Sequence, residues 1–178
     1  MGNTKGGFIL RGVIAGTISA WVMDRATWLV QDRQPKQTLE RERAAWRDGL
    51  DVPHVAIYRL RQAAGLTAER EQPSTMGILL HYLFGIGPAI IYAGLREKDL
   101  KFSADRGLLY GLAIFILWDE ILSVGTGIAS PPEAYPWQAH FRGLIGHLSL
   151  GVAAHVALTA LETDFDIRPL QEAHRGAR

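Results

Sequence analysis

Apolar residues in this chain gather into four long blocks, at 7–30, 76–95, 107–128 and 141–161. They do not recur at the short period of a helix or strand packed on a water-soluble core. Each block is about as long as the roughly 20 residues a helix needs to cross a bilayer. The blocks span 87 residues and hold 6 of the 37 charged side chains, while the other 91 residues hold 31. This sorting predicts an all-α polytopic membrane protein. Residues 1–178 form a single membrane domain of four transmembrane helices, with an extramembrane helical loop, 31–75, between the first and second.

The polar connections carry their own signals. Residues 31–75 hold 15 charges, punctuated by Pro35, Pro53 and Pro73. Thr38 to Arg47 predicts a charged helix capped by Thr38 or Gln37. Val52 to Leu66 predicts an amphipathic helix, with Val55, Ile57, Tyr58 and Leu60 interleaved with Arg59, Arg61 and Gln62. Such a loop would lie on the membrane surface, cap the bundle, or stand as a solvated subdomain. Residues 96–106 are a short charged turn, 129–140 an aromatic and proline-rich one, and 162–178 a polar tail. The first block also has some character of a signal peptide, with Lys5 and Arg11 ahead of Val13 to Ala20 and a cleavage-like Ile18-Ser19-Ala20. Its continuation through Trp21, Val22 and Met23, and the three blocks that follow, favour a retained span.

Composition alone misleads: a mean hydropathy of +0.04 averages one half built for lipid with one built for water. A net charge of +1 gives no basic excess for nucleic acid, and the absence of cysteine excludes disulfides, thiolate metal sites and a cysteine nucleophile. No Ser-His-Asp spacing, phosphate-binding loop or dinucleotide fingerprint occurs, so an enzyme is not expected.

Four spans place both termini on one side. The termini and 96–106 carry 8 Lys and Arg (Lys5, Arg96, Lys98, Lys101, Arg106, Arg168, Arg175 and Arg178), the 31–75 loop also carries 8, and 129–140 carries none. Charge is therefore nearly tied. Loop length and the aromatic turn favour cytoplasmic termini with the long loop outside.

Within the spans, Gly12 and Gly16, and Gly107 and Gly111, are small-residue pairs suited to close helix packing. Gly85, Gly87 and Pro88 predict a kink or a close contact in the second span. Arg11 sits near a span end and can snorkel to the interface. The informative residues are ionisable. Measured from the end bearing 31–75 and 129–140, at about 1.5 Å per residue, Asp24 lies about 9 Å deep, His81 about 8 Å, Asp119 about 14 Å and His147 about 9 Å. Every span thus contributes a titratable group on one side of the midplane. Each costs about 2.5–3.5 kcal/mol or more in hydrocarbon, so these groups must face one another or water.

Asp24, His81, Asp119, Glu120 and His147 are the candidate titrating groups, with Arg25 and Arg142 as counter-charges. A structural role is the alternative for each: an interfacial Asp24 and Arg25 pair, an interfacial anchor at His81 and Tyr82, a helix contact at His155, or Asp119 and Glu120 paired with Arg142 or Arg25. No cofactor is predicted. A metal or haem held by His81 and His147 is a further reading; a metal would need a carboxylate as well. The partners expected are the lipid bilayer and either further copies of the chain or a larger membrane complex in which it is an accessory subunit.

Gly-Leu-Leu-Tyr-Gly at 107–111, Tyr135-Pro136-Trp137, Gly146-His147 and His81-Tyr82-Leu83-Phe84 together resemble the YagU-like family of small bacterial inner-membrane proteins. The resemblance covers about 8–30 and 76–161 and leaves out 31–75. It implies cytoplasmic termini, a periplasmic first loop and a link to acid resistance. Asp119 and Glu120 are not part of it.

Overall fold

A computed structural model describes residues 7–97 and 106–175, with side chains as far as residue 162. Lys5, Lys98, Lys101 and Arg178, counted above for orientation, lie outside the described residues, as do the side chains of Arg168 and Arg175. The described chain is helical, with no strand: α1 (Gly7–Gln31), α2 (Lys36–Ala45), α3 (Val52–Ala63), α4 (Thr75–Glu97), α5 (Leu108–Ile114), α6 (Ser123–Gly125) and α7 (Trp137–Arg175). A π-helical stretch, Phe115–Leu122, joins α5 to α6. Four helices are long and apolar enough to cross a membrane: Gly7–Gln31, Thr75–Glu97, Leu108–Gly125 and Trp137–Glu162. These are spans 1 to 4 of a four-helix membrane protein. The last helix outruns its apolar block and continues to Arg175.

Span 1 packs against span 2 on one side and span 4 on the other, and span 3 packs on span 4. Spans 2 and 3 close the ring through large side chains. Tyr92 stacks on Tyr110 with centroids 4.4 Å apart, and Phe84 meets Trp118 edge-on at 5.0 Å. The close contacts are made by small residues. A methyl group on Gly12 would sit 2.5 Å from Ile90 Cα, and one on Gly16 2.6 Å from Ile86 Cα. Gly85 returns the contact, with Ala20 Cβ 3.0 Å from the same kind of probe, and α4 runs unbroken through Pro88. Gly107 and Gly111 lie as tightly against the α7 backbone at Gly151 and His147. Without a hydrophobic drive between helices in lipid, this surface matching is what holds them together.

Burial is inverted relative to a water-soluble bundle. Ala15, Ala89, Ala93 and Ala154 are buried, while Trp28, Leu83, Ile91, Leu109 and Val156 face outward. Such an outward apolar face needs lipid, not water, as its solvent. Arg11 does not snorkel: its side chain is 9% exposed and pairs with Glu97.

The 31–75 loop caps one end of the bundle. Ser130 Oγ donates to the Ala45 carbonyl at 2.6 Å, Arg59 Nη1 to the Gly127 carbonyl at 2.7 Å, and Gln34 Nε2 to the Gln138 carbonyl at 3.0 Å. Inside the cap, α2 starts at Lys36, because Pro35 presets the turn and Thr38 is buried instead of capping. Asp51 caps α3 by accepting the His54 backbone N–H at 3.2 Å. That helix ends at Ala63, short of Leu66, in a left-handed turn. Gly65 takes φ +69° and Leu66 N–H reaches back to the Arg61 carbonyl.

Candidate functional site

Beneath the cap, at the depth the sequence picked out, the spans form a half-open cavity of about 370 Å³. His81 of span 2, Asp119 and Glu120 of span 3, His140 and Arg142 of span 4, and Glu42 of the cap all line it. Three carboxylate and histidine pairs surround it, each joining two spans.

The first pair joins spans 1 and 2. Asp24 Oδ1 lies 2.8 Å from His81 Nε2, and the Tyr82 hydroxyl donates to Asp24 Oδ2 at 3.4 Å. Arg25 is not part of it. One residue further on, about 100° round the helix, it is exposed, with its guanidinium 5.9 Å from the Trp21 ring centroid. The expected Asp24 and Arg25 pair does not form, and Arg25 is not a counter-charge for the cavity.

The other two pairs join spans 3 and 4, and both acids fall in the π-helical stretch. Glu120 Oε1 lies 2.8 Å from His140 Nδ1, and His140 Nε2 donates to the Pro132 carbonyl at 3.0 Å. Asp119 Oδ2 lies 3.6 Å from His147 Nδ1, too far for a hydrogen bond, because that nitrogen already donates to the Gly143 carbonyl at 2.9 Å. Gly143 makes the approach possible: a methyl there would sit 3.1 Å from both Asp119 Oδ2 and Phe115 Cε2. In a regular helix two adjacent acids diverge, so only one would face a given neighbour. Here each finds its own histidine, two turns apart on α7. Ser123 marks the widened turn, its Oγ donating to the Trp118 carbonyl, five residues back, at 2.6 Å.

Arg142 does not neutralise Asp119 or Glu120. It reaches into the cap, where it pairs with Glu42 and donates to Gln34 Oε1 at 2.6 Å. The other Glu42 oxygen, Oε2, is buried and accepts no hydrogen bond.

The opposite end of the bundle is also tied. Arg96 donates to Glu162 at 2.6 Å and to Thr159 at 3.0 Å, and lies 2.8 Å from His155 Nδ1. His155 is thus a contact between spans 2 and 4.

Of the residues picked from sequence, the fold brings His81, Asp119, Glu120 and Arg142 to the cavity, sets Asp24 and His147 behind their partners, and turns Arg25 away. Sequence reasoning missed His140 and Glu42. His140 had a signal, standing seven residues before His147 and so on the same helix face. Glu42 had none. No group of three or more His, Asp or Glu side chains converges to hold a metal ion among the described residues, and His81 and His147 serve different carboxylates. Each of these carboxylate and imidazole groups can bind a proton. Comparison with protein-family models, curated proteins and solved structures finds no match for this chain.

Proposed function

We propose that this protein is a proton-responsive protein of the bacterial inner membrane, with cytoplasmic termini, a periplasmic cap and a role in acid or envelope stress. It would be a relative of the YagU-like family and not an enzyme. Acid lifts the cap and widens the cavity for a small ion or solute. The single observation behind this reading is that three carboxylate and histidine pairs, each joining two spans, surround one cavity bordered by a charged link.

The mechanism follows from charge. Each pair passes from net negative through neutral to net positive as protons are added. The groups facing the cavity or standing just behind it are Asp24, Glu42, Asp51, Asp119 and Glu120, with His81, His140, His147 and Arg142. Asp51 is held within the cap by His54 and Gln72. Each proton added shifts the charge around this one space from negative toward positive. Two unit charges 8 Å apart repel by about 2 kcal/mol at an effective dielectric of 20. An interhelical polar contact contributes about 0.6 kcal/mol and rarely more than 1.7. A few such repulsions exceed the contacts, so the cap lifts.

The test uses full-length protein in vesicles. Hydrogen exchange in α2 and flux of a small ion are measured at about pH 7 and about pH 5. Both should rise on acidification and be blunted in Asp119→Asn. Unchanged exchange and flux across that range would overturn the reading.

A further inference from the structure

We infer that the capped cavity is a binding site for a small organic ammonium ion, an N–H-bearing cation on an apolar body. The inference deepens the proton reading by naming what the same cavity holds.

Charge selects the class. Four carboxylates line the cavity, at Glu42, Asp51, Asp119 and Glu120, against one arginine and two histidines; the arginine is committed to Glu42 and Gln34, and His81 and His140 to Asp24 and Glu120. An anion would find no free cationic partner there.

Two of the four acids are incompletely satisfied. Glu42 has a side chain only 10% exposed, with one oxygen on Arg142 and the other, Oε2, buried and accepting nothing. Asp119 accepts no hydrogen bond among the described residues, its nearest basic nitrogen being 3.6 Å away on His147. Buried carboxylate oxygens rarely go without donors, and Glu42 Oε2, left so, carries a desolvation cost that a ligand N–H would relieve, while Asp119, 40% exposed at its side chain, offers its oxygens to the cavity. Asp51 and Glu120 are supplied, by Gln72 and His54 and by His140.

The rest of the lining fits an organic body better than a bare ion. Trp46, Phe115 and Tyr135 present rings, and Val124 and Ile128 present alkyl groups. Aromatic faces attract ammonium groups, and alkyl walls attract the carbon frame. A volume of about 370 Å³ lies at the small end of ligand cavities.

The probe is phenethylamine, titrated calorimetrically into full-length protein in nanodiscs at about pH 7, with empty nanodiscs as the blank. The neutral analogue 2-phenylethanol has the same frame and no charge. Losing a charge-assisted hydrogen bond weakens binding by about 10- to 100-fold. The amine should therefore bind saturably and more tightly than the alcohol by about that factor. Asp119→Asn and Glu42→Gln should each weaken the amine by about tenfold or more while leaving the alcohol unchanged. Asp119→Asn leaves the Arg142 link intact and so separates lost binding from a loosened cap. Heat equal to that of empty nanodiscs, an alcohol that matches the amine, or variants that bind like wild type would overturn the inference. Acid-driven exchange in α2, measured without amine, is scored separately. Failed amine binding with intact acid opening sinks the ligand alone. Amine binding without acid opening sinks the proton reading alone.

Discussion

Glu120 and His140 share a proton. A backbone carbonyl only accepts, so the 3.0 Å contact from His140 Nε2 to Pro132 places a hydrogen on that nitrogen. The remaining ring nitrogen, Nδ1, lies 2.8 Å from Glu120 Oε1. Two lone pairs do not approach so closely, so one proton lies between them. Imidazole is the stronger base of the two, so the pair is an imidazolium with a carboxylate.

Glu120→Gln tests this directly. Glutamine can donate its amide N–H to Nδ1, keeping the contact while removing the shared proton. Nitrogen NMR of His140 should show Nδ1 protonated in wild type and unprotonated in the variant, with stability changed by less than about 1 kcal/mol. An unprotonated Nδ1 in wild type would remove the pair from the proton-holding set.

Helix packing predicts a contrast between two glycines. Gly12 meets the Ile90 backbone, whereas Gly87 is exposed and has nothing within 4 Å of where a methyl would go. Gly12→Ala forces spans 1 and 2 apart and should cost about 1–3 kcal/mol. Gly87→Ala should be neutral or stabilise by up to about 1 kcal/mol. Unfolding of both variants in mild detergent checks the pair. Equal effects would mean that glycine content matters and not its placement.

The cap's attachment rests on Arg142 and Glu42, whose side chains are 13% and 10% exposed. Arg142→Leu leaves a buried carboxylate without its partner and should cost about 3–5 kcal/mol. Glu42→Leu together with Arg142→Leu removes both charges and should recover most of that loss. Trypsin cleavage at Arg41 and Arg43 in α2 reads the detachment, rising in the single variant and falling back in the double. Continued fast cleavage in the double variant would show that other contacts, such as Ser130 to Ala45, do not hold the cap.

The four spans were legible because lipid imposes a crude rule on sequence: about 20 residues with few charges. The depth of Asp24, His81, Asp119 and His147 was legible too, since rise per residue turns position into depth. Which way each side chain points was not. Arg25 and Asp24 are neighbours at one depth, yet they face lipid and bundle respectively, and helix rotation is set by packing at Gly12 and Gly16. Nor was the π-helical stretch, which gives Asp119 and Glu120 separate histidines. Glu42 was hidden for another reason: it is one acid among 15 loop charges, and only the cap's fold brings it to Arg142.

Asp24 and His81 give the sharpest test of that rotation. Because the two side chains meet at 2.8 Å, Asp24→Asn and His81→Gln should be non-additive. Membrane double-mutant cycles give polar pairs about 0.6 kcal/mol of coupling, with about 1.7 as the upper end. This pair is charge-assisted and should fall in the upper half. The matched cycle of Asp24→Asn with Arg25→Gln should couple near zero, because Arg25 lies on Trp21 and not on Asp24. A first span rotated by one residue would reverse the two results, putting Arg25 against span 2.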